Sequence, residues 1–338
     1  MSFNELFNKK KHIDNSCNSV QLWCQYDSSP TKSETTVTID INIWRMTKTR
    51  YLDLGILFEN WQNIETVNVY FPFVFEKTSF KDLEEKLNDQ KTLKGIFNED
   101  YECVGKTGHL IIKDNDVQKF FVHKIIVGEV TVKNNYGGTL VSINIDTNDY
   151  VTKGYNSMPL YIRFRIVCAD FGPLFRIVKP NNSFFESAFN ENELIDFRLN
   201  EKRNQDEELI VKMEKQSSLK ISKINFFIIS PVEHELKSNG SNLTYKRQLE
   251  NNHYWENYLD DKEYNSMIVY KVKAEENIKD FSVYSNFQYR KSNKLTIIKY
   301  VGIIGFMSII FNLIASFISP LLISVVLGIL VGILDYVK

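Results

Sequence analysis

Between Tyr300 and Leu334 the chain carries no charged side chain. In one helix those residues would rise roughly 50 Å at about 1.5 Å each, against a bilayer hydrocarbon core of about 30 Å. One straight span is therefore too short an account of the segment. Ser316–Phe317–Ile318–Ser319–Pro320 is the natural place to divide it, because Pro320 has no backbone donor and suits a turn or a helix start. The expected arrangement is a transmembrane helical hairpin over 295–338, with helices near 298–317 and 320–337. A single span followed by a buried tail is the competing arrangement. Arg290, Lys291, Lys294 and Lys299 lie just before the first helix and place that flank in the cytoplasm. A hairpin would return Asp335 and Lys338 to the same side.

Small and polar residues share one face of each half. Gly305, Ser308, Asn312 and Ser316 recur at three- and four-residue spacing in the first, and Ser324, Gly328 and Gly332 in the second. Two readings follow. Small faces let membrane helices approach closely. Alternatively the stripe lines a water-filled pore, since an amide such as Asn312 in mid-membrane faces protein or water. One hairpin cannot enclose a pore, so the second reading requires a homo-oligomer as well as membrane lipid.

The residues ahead of this segment have the composition of a folded, strand-rich unit. Of the 338 residues, 43% are hydrophobic and 13% aromatic, while Gly and Pro number only 14 and 7. Val37, Ile39, Ile41 and Ile43 alternate with Thr38, Asp40 and Asn42, which is the period of a half-buried strand. Val67–Phe73 and Lys119–Val127 repeat the pattern. Asn134–Gly138 reads as the turn of a hairpin joining Val130/Val132 to Val141–Ile145. Further strands are expected at 160–168, 219–230, 266–273 and 281–289. Helices are expected after Ser79, with Phe80, Leu83 and Leu87 on one face, and at 204–216 and 253–263. The fold class is thus a mainly β (α+β) sandwich-like domain ahead of the membrane segment. Its β-rich block covers 1–197, and 198–294 is either a smaller α+β region or part of the same domain.

Formal net charge is −1, so the basic excess of a duplex DNA binder is absent. The first residues have no apolar h-region, and no export signal is expected. Cys17, Cys24, Cys103 and Cys168 lack the spacing of a zinc site or disulfide frame. Gly105–Lys106–Thr107 resembles the end of a phosphate-binding loop, but Asp100 stands where that loop needs its first glycine. Glu84–Glu85–Lys86 reads as a solvated helix face and Glu233–His234–Glu235 as a surface loop. His109 and His123 read as structural strand residues. No catalytic motif, metal site or cofactor is expected. The basic set is more suggestive. Arg163 and Arg165 share one strand face while Ile162, Phe164 and Ile166 take the other, and Arg176 and Lys179 follow the Gly172–Pro173 turn. Their two readings are an exposed face with salt bridges, or a pocket for an anion such as a nucleotide or oligonucleotide.

The uncharged 300–334 run with its Ser308/Asn312/Ser316 stripe, behind a domain without enzyme motifs, resembles in layout the membrane effectors of bacterial antiphage defence systems. The Lys-, Asn- and Ile-rich composition resembles the product of an AT-rich bacterial genome. That resemblance implies an inner-membrane protein with a cytoplasmic sensor domain that controls an oligomeric pore or membrane disruption. A membrane-tethered binding or scaffold protein, using the hairpin only as an anchor, is the alternative.

Overall fold

A computed structural model describes all residues except 1–18, 28–34, 47–48, 106–107, 109, 179–189, 204, 217–218, 241, 251–252, 261–265, 291–293 and 337–338. The chain divides into two compact units, Met1–Val178 with Asn192–Tyr289, and Lys179–Glu191 with Arg290–Lys338.

The first unit is built mainly of strands. In chain order they are β1 (Ser19–Tyr26), β2 (Thr35–Arg45), β3 (Arg50–Phe58), β4 (Ile64–Phe71), β5 (Phe80–Asp82), β6 (Glu102–Val104), β7 (Leu110–Asp114), β8 (Val117–Val122) and β9 (Thr131–Asn135). They continue as β10 (Gly138–Asn144), β11 (Leu160–Cys168), β12 (Phe175–Val178), β13 (Asn190–Leu199), β14 (Leu219–Pro231), β15 (Glu235–Asn239), β16 (Tyr245–Gln248), β17 (Met267–Ile278) and β18 (Phe281–Arg290). Its helices are α1 (Gln90–Phe97), α2 (Thr147–Thr152), α3 (Glu207–Gln216) and α4 (His253–Leu259).

Two sheets result. The smaller runs β15-β18-β13-β1-β4-β10-β9 with β12 beside β13, and the larger runs β16-β17-β14-β2-β3-β11-β8-β7-β6 with β5 beside β11. Alternation explains their facing. Ile39, Ile41 and Ile43 of β2, Leu52, Leu54 and Ile56 of β3, and Ile162, Phe164 and Ile166 of β11 enter one core with Val67 and Val69 of β4. Phe226 of β14 meets Phe197 of β13 at 5.0 Å and Phe281 of β18 at 5.8 Å between ring centres, which ties sheet to sheet. The expected boundary at 198–217 does not divide the sandwich. β14 lies between β2 and β17, parallel to β2, and β13 lies beside β1.

Most expected strands form, and the 134–138 turn joins β9 to β10 with positive φ at Tyr136 and Gly137, as a tight hairpin of this hand requires. The strand expected at 119–127 stops at Val122. The helix expected from Ser79 is replaced by a 3₁₀ turn, the short β5 and a second 3₁₀ turn over Glu84–Asn88. The true helix, α1, starts later. Asp89 caps it by accepting from the Thr92 N–H at 2.7 Å, and Asn98 ends it in the left-handed region. Phe80, Leu83 and Leu87 are buried along a bent path that satisfies the same spacing.

Both sheets are covered on their outer faces too. Leu209 and Met213 of α3 lie on Trp23, Tyr70 and Leu140 of the smaller sheet. On the larger sheet, Trp255, Tyr258 and Leu259 of α4 cover Trp44, Tyr51 and Ile229, while Leu93 of α1 joins Leu110, Phe120 and Tyr161. The helices α1 and α4 meet through Gly95, where a Cβ would stand 2.9 Å from both Tyr254 and Trp255.

The second unit carries α5 (Lys294–Tyr336). Its segment Ile297–Ile333 is long and apolar enough to cross a membrane, with a mean hydropathy of 2.6 over an 18-residue stretch. The expected break at Ser316–Pro320 is not seen among the described residues: α5 runs unbroken through it, with Pro320 inside the helix. A proline interior to a helix deletes one ladder hydrogen bond, whereas a turn deletes several. Gly305, Ser308, Asn312, Ser316, Ser324, Gly328 and Gly332 are all exposed on it.

Candidate functional site

The two strand arginines are not on a solvated surface. Arg163 is 0% and Arg165 2% exposed, because α4 covers the face they occupy. Arg165 forks onto Asp53, Nε to Oδ1 at 2.6 Å and Nη2 to Oδ2 at 2.9 Å. Trp44 Nε1 and the Tyr258 hydroxyl also donate to Asp53 Oδ2, at 2.9 and 2.7 Å. Burial alone would raise the Asp53 carboxyl, but the charge and hydrogen bonds of Arg165 outweigh it and hold the group below the usual carboxylate range.

Arg163 is less well matched. Its Nε donates to the Tyr258 hydroxyl at 2.9 Å and its Nη1 to the Tyr161 hydroxyl at 3.0 Å. Its Nη2 has no hydrogen-bond partner among the described residues and lies 4.0 Å from Asp53 Oδ2. Two guanidinium groups thus share the Asp53 carboxylate. The Arg163 charge also acts on Asp40, two positions along in the same strand row. The two strand arginines expected as ligand contacts are therefore buried in the framework, and Arg163 touches Tyr161 through its hydroxyl.

Tyr161 lines a cleft of about 510 Å³ on the outer face of the larger sheet, between the cover supplied by α1 and β8 and that supplied by α4 and β16. Strand register sets its floor. Lys271, Phe227, Asn42, Asp53 and Arg165 form one row across β17, β14, β2, β3 and β11, and Lys273, Asn225, Asp40, Gly55 and Arg163 form the next. Only glycine fits at position 55, since a Cβ there would lie 2.1 Å from the Tyr161 hydroxyl.

Three buried polar atoms in the walls of this cleft lack partners among the described residues: Asn42 Oδ1, Asn225 Oδ1 and Trp255 Nε1. Such atoms cost about 1–3 kcal/mol each when left unmade. Asn42 and Trp255 are 9% and 3% exposed. Asn225 Nδ2 donates to Asp40 Oδ1 at 2.8 Å, which fixes the amide with its oxygen turned away from Asp40. Burial raises the Asp40 carboxyl. Lys223 and Lys271 also line the cleft, and neither makes an ion pair among the described residues. Burial lowers the Lys271 ammonium, which sits 5.1 Å from the Phe227 ring centre and 5.6 Å from that of Tyr245. The cleft therefore offers cations, acceptors, one indole donor and aromatic walls. A larger cavity of about 730 Å³, beside Leu22, Met213 and Ile278, is reached by none of the unpartnered atoms.

The remaining expected residues fall elsewhere. Arg176 is exposed on β12 of the other sheet, and Lys179, Lys106, Thr107 and His109 lie outside the described residues. Glu84 is buried and accepts from the Gly108 N–H at 2.6 Å, so it is not a solvated face. His123 follows β8 and is bonded to the Tyr150 hydroxyl at 2.6 Å. Among the described residues no group of three or more His, Cys, Asp or Glu could hold a metal ion. Sequence reasoning missed Asp40, Asn42, Asn225, Lys223, Lys271 and Trp255. One signal was present: Asn42 precedes Trp44, and Asn225 precedes Phe227, at strand spacing on the face away from the core. A solvated face rarely mixes amides with large aromatics in this way. No protein-family model matches the sequence, and no curated protein matches it.

Proposed function

We propose that the protein is a ligand-gated membrane effector, in which the sandwich senses an anionic signal of the nucleotide or oligonucleotide class and the apolar tails associate in the bilayer to conduct ions or disrupt it. The observation that carries the sensing part is the convergence of three unpartnered buried polar atoms on one cleft flanked by Lys223 and Lys271. Phosphate groups would lie against the lysines, and an aromatic base against Trp44, Phe227 or Tyr161. Arg163 behind the wall adds to the positive potential.

The effector part draws on α5. The 37 residues of Ile297–Ile333 rise about 55 Å, nearly twice the hydrocarbon thickness, and a tilt of 0–40° absorbs only part of that. In this reading the helix folds back at Pro320 once lipid surrounds it, and Ser308, Asn312 and Ser316 line the path between subunits. The layout resembles bacterial defence effectors of the inner membrane, and antiviral defence is the role that the reading implies.

The test uses full-length protein in liposomes, with a panel of nucleotides and short oligonucleotides and ion flux as readout. Flux on addition of one of them, lost in Asn312→Leu with the protein still in the membrane, supports the effector. Flux unchanged by Asn312→Leu removes the pore. Binding without flux, and full function after exchange of residues 300–338 for an unrelated anchor, would leave a tethered binding protein.

A further inference from the structure

The polar atoms on the floor of the cleft ask for something that an anion alone does not supply. Asp40, Asn42 and Asn225 present a carboxylate and two amide oxygens on neighbouring strands, and all of these accept. Asn42 and Asp40 are two apart on β2 and share a face, and Asn225 is the register partner of Asp40 on β14. Their partner must therefore donate.

Three kinds of donor can be weighed. A metal ion would suit the oxygen set, but Lys223 and Lys271 stand beside it and Arg163 lies behind it, and all three repel a cation. A ligand ammonium meets the same repulsion. A neutral hydroxyl does not. It can donate to Asn42 or Asn225 while accepting from a lysine, so one group satisfies both neighbours. The walls agree with this choice, because Trp44, Phe227 and Tyr161 offer apolar faces for the carbon side of a sugar ring. Trp255 Nε1 adds a donor for a ring or phosphate oxygen.

We propose that Asp40, Asn42 and Asn225 select a phosphorylated sugar, binding adjacent hydroxyls while Lys223 and Lys271 hold the phosphate. This rests on the reading of the cleft as the ligand site. The sugar can come from a free sugar phosphate or from the ribose of a nucleotide, and the shared chemistry is a hydroxyl-bearing ring next to an anion.

The experiment is titration calorimetry on full-length protein in nanodiscs, with ribose 5-phosphate, 2-deoxyribose 5-phosphate, AMP, dAMP and inorganic phosphate. Each ribose probe should bind at least roughly tenfold more tightly than its deoxy counterpart, because a site built around a hydroxyl leaves its own polar atoms unpaired without one. Asn42→Leu should erase that preference. Asn225→Leu on the adjacent strand provides a second variant, with a melting curve as the check on folding. Ribose 5-phosphate matching AMP would assign a free sugar phosphate, and AMP at least about tenfold tighter would assign a nucleotide. Equal binding of ribose and deoxyribose probes, or a preference that survives both substitutions, would overturn hydroxyl selection and leave an anion site standing. Failure of every probe to bind, or binding indifferent to Lys223→Glu and Lys271→Glu, would overturn the cleft as the ligand site and hydroxyl selection with it.

Discussion

The hydroxyl of Tyr258 stands 2.7 Å from Asp53 Oδ2, so a side chain of α4 completes the coordination of a carboxylate on β3, 205 residues away in sequence. The Tyr258 hydroxyl oxygen itself accepts from Arg163 Nε, which makes Tyr258 the link between the two arginines. Tyr258→Phe should cost about 1–3 kcal/mol, since Arg163 then loses its Nε partner in a fully buried position. Asp53→Ala should be worse, about 3–5 kcal/mol, because it strands two buried cations. Chemical denaturation of the two variants beside the parent measures both. Equal stability of Asp53→Ala and parent would contradict the burial described for the cluster.

Gly55→Ala tests how closely Tyr161 lies over the sheet. The new methyl would lie 2.1 Å from the Tyr161 hydroxyl and 2.9 Å from Arg163 Nη1. Tyr161 must then leave its place and drop its bond to Arg163, at about 1–3 kcal/mol. Gly128→Ala, where nothing lies within 4 Å of the added Cβ, should stay within about 0.5 kcal/mol. A shift in melting temperature for the first variant and not the second is the expected result.

The pH dependence has two opposed parts. Burial pushes His123 down to about 4 from 6.5, so the unfolded chain takes up a proton first on acidification. Stability from this residue is complete above 6.5 and is lost as pH falls toward 4, with a slope of up to about 1.4 kcal/mol per pH unit. Burial pushes Asp82 the other way, up to about 7 from 3.8. Its contribution is largest below 3.8 and falls as pH rises toward 7. Asp82→Asn should therefore gain on the parent as pH rises from 4.5 to 8, and His123→Gln should flatten the parent's loss below 6.5. Melting midpoints across that range decide both, and a constant Asp82→Asn offset would sink the first.

The membrane arrangement can be probed by thiol labelling of intact vesicles. If α5 folds back at Pro320 in lipid, a cysteine at position 319 should react from the side opposite the sandwich, and one at position 335 from the same side as the sandwich. A single span would put position 335 on the far side.

How much of this was legible beforehand depends on the range of the interaction. The alternation of β2 and β11 and the turn at Tyr136–Gly137 are local, and they were read correctly from spacing alone. Alternation also showed that Arg163 and Arg165 oppose the core. It could not show that a second layer covers that face, because Tyr258 and Trp255 arrive on a helix about 90 residues later. Phe80, Leu83 and Leu87 fit helical spacing and still line a bent path, since apolar spacing reports burial and not hydrogen bonding. The cleft was illegible for the same reason: β2, β14 and α4 share no sequence neighbourhood.

The pairing of β2 with β14 sets a timetable for synthesis. Asp40 and Asn225 meet across 185 residues, and a parallel contact of that span is slow to close and yields nothing until both strands exist. On a ribosome, the hydrogen-bonding edge of β2 that β14 will cover therefore stays open until about two thirds of the chain has been made. The nascent protein thus passes through a long interval with an open strand edge, and such an edge is exposed to pairing with other chains until β14 is made.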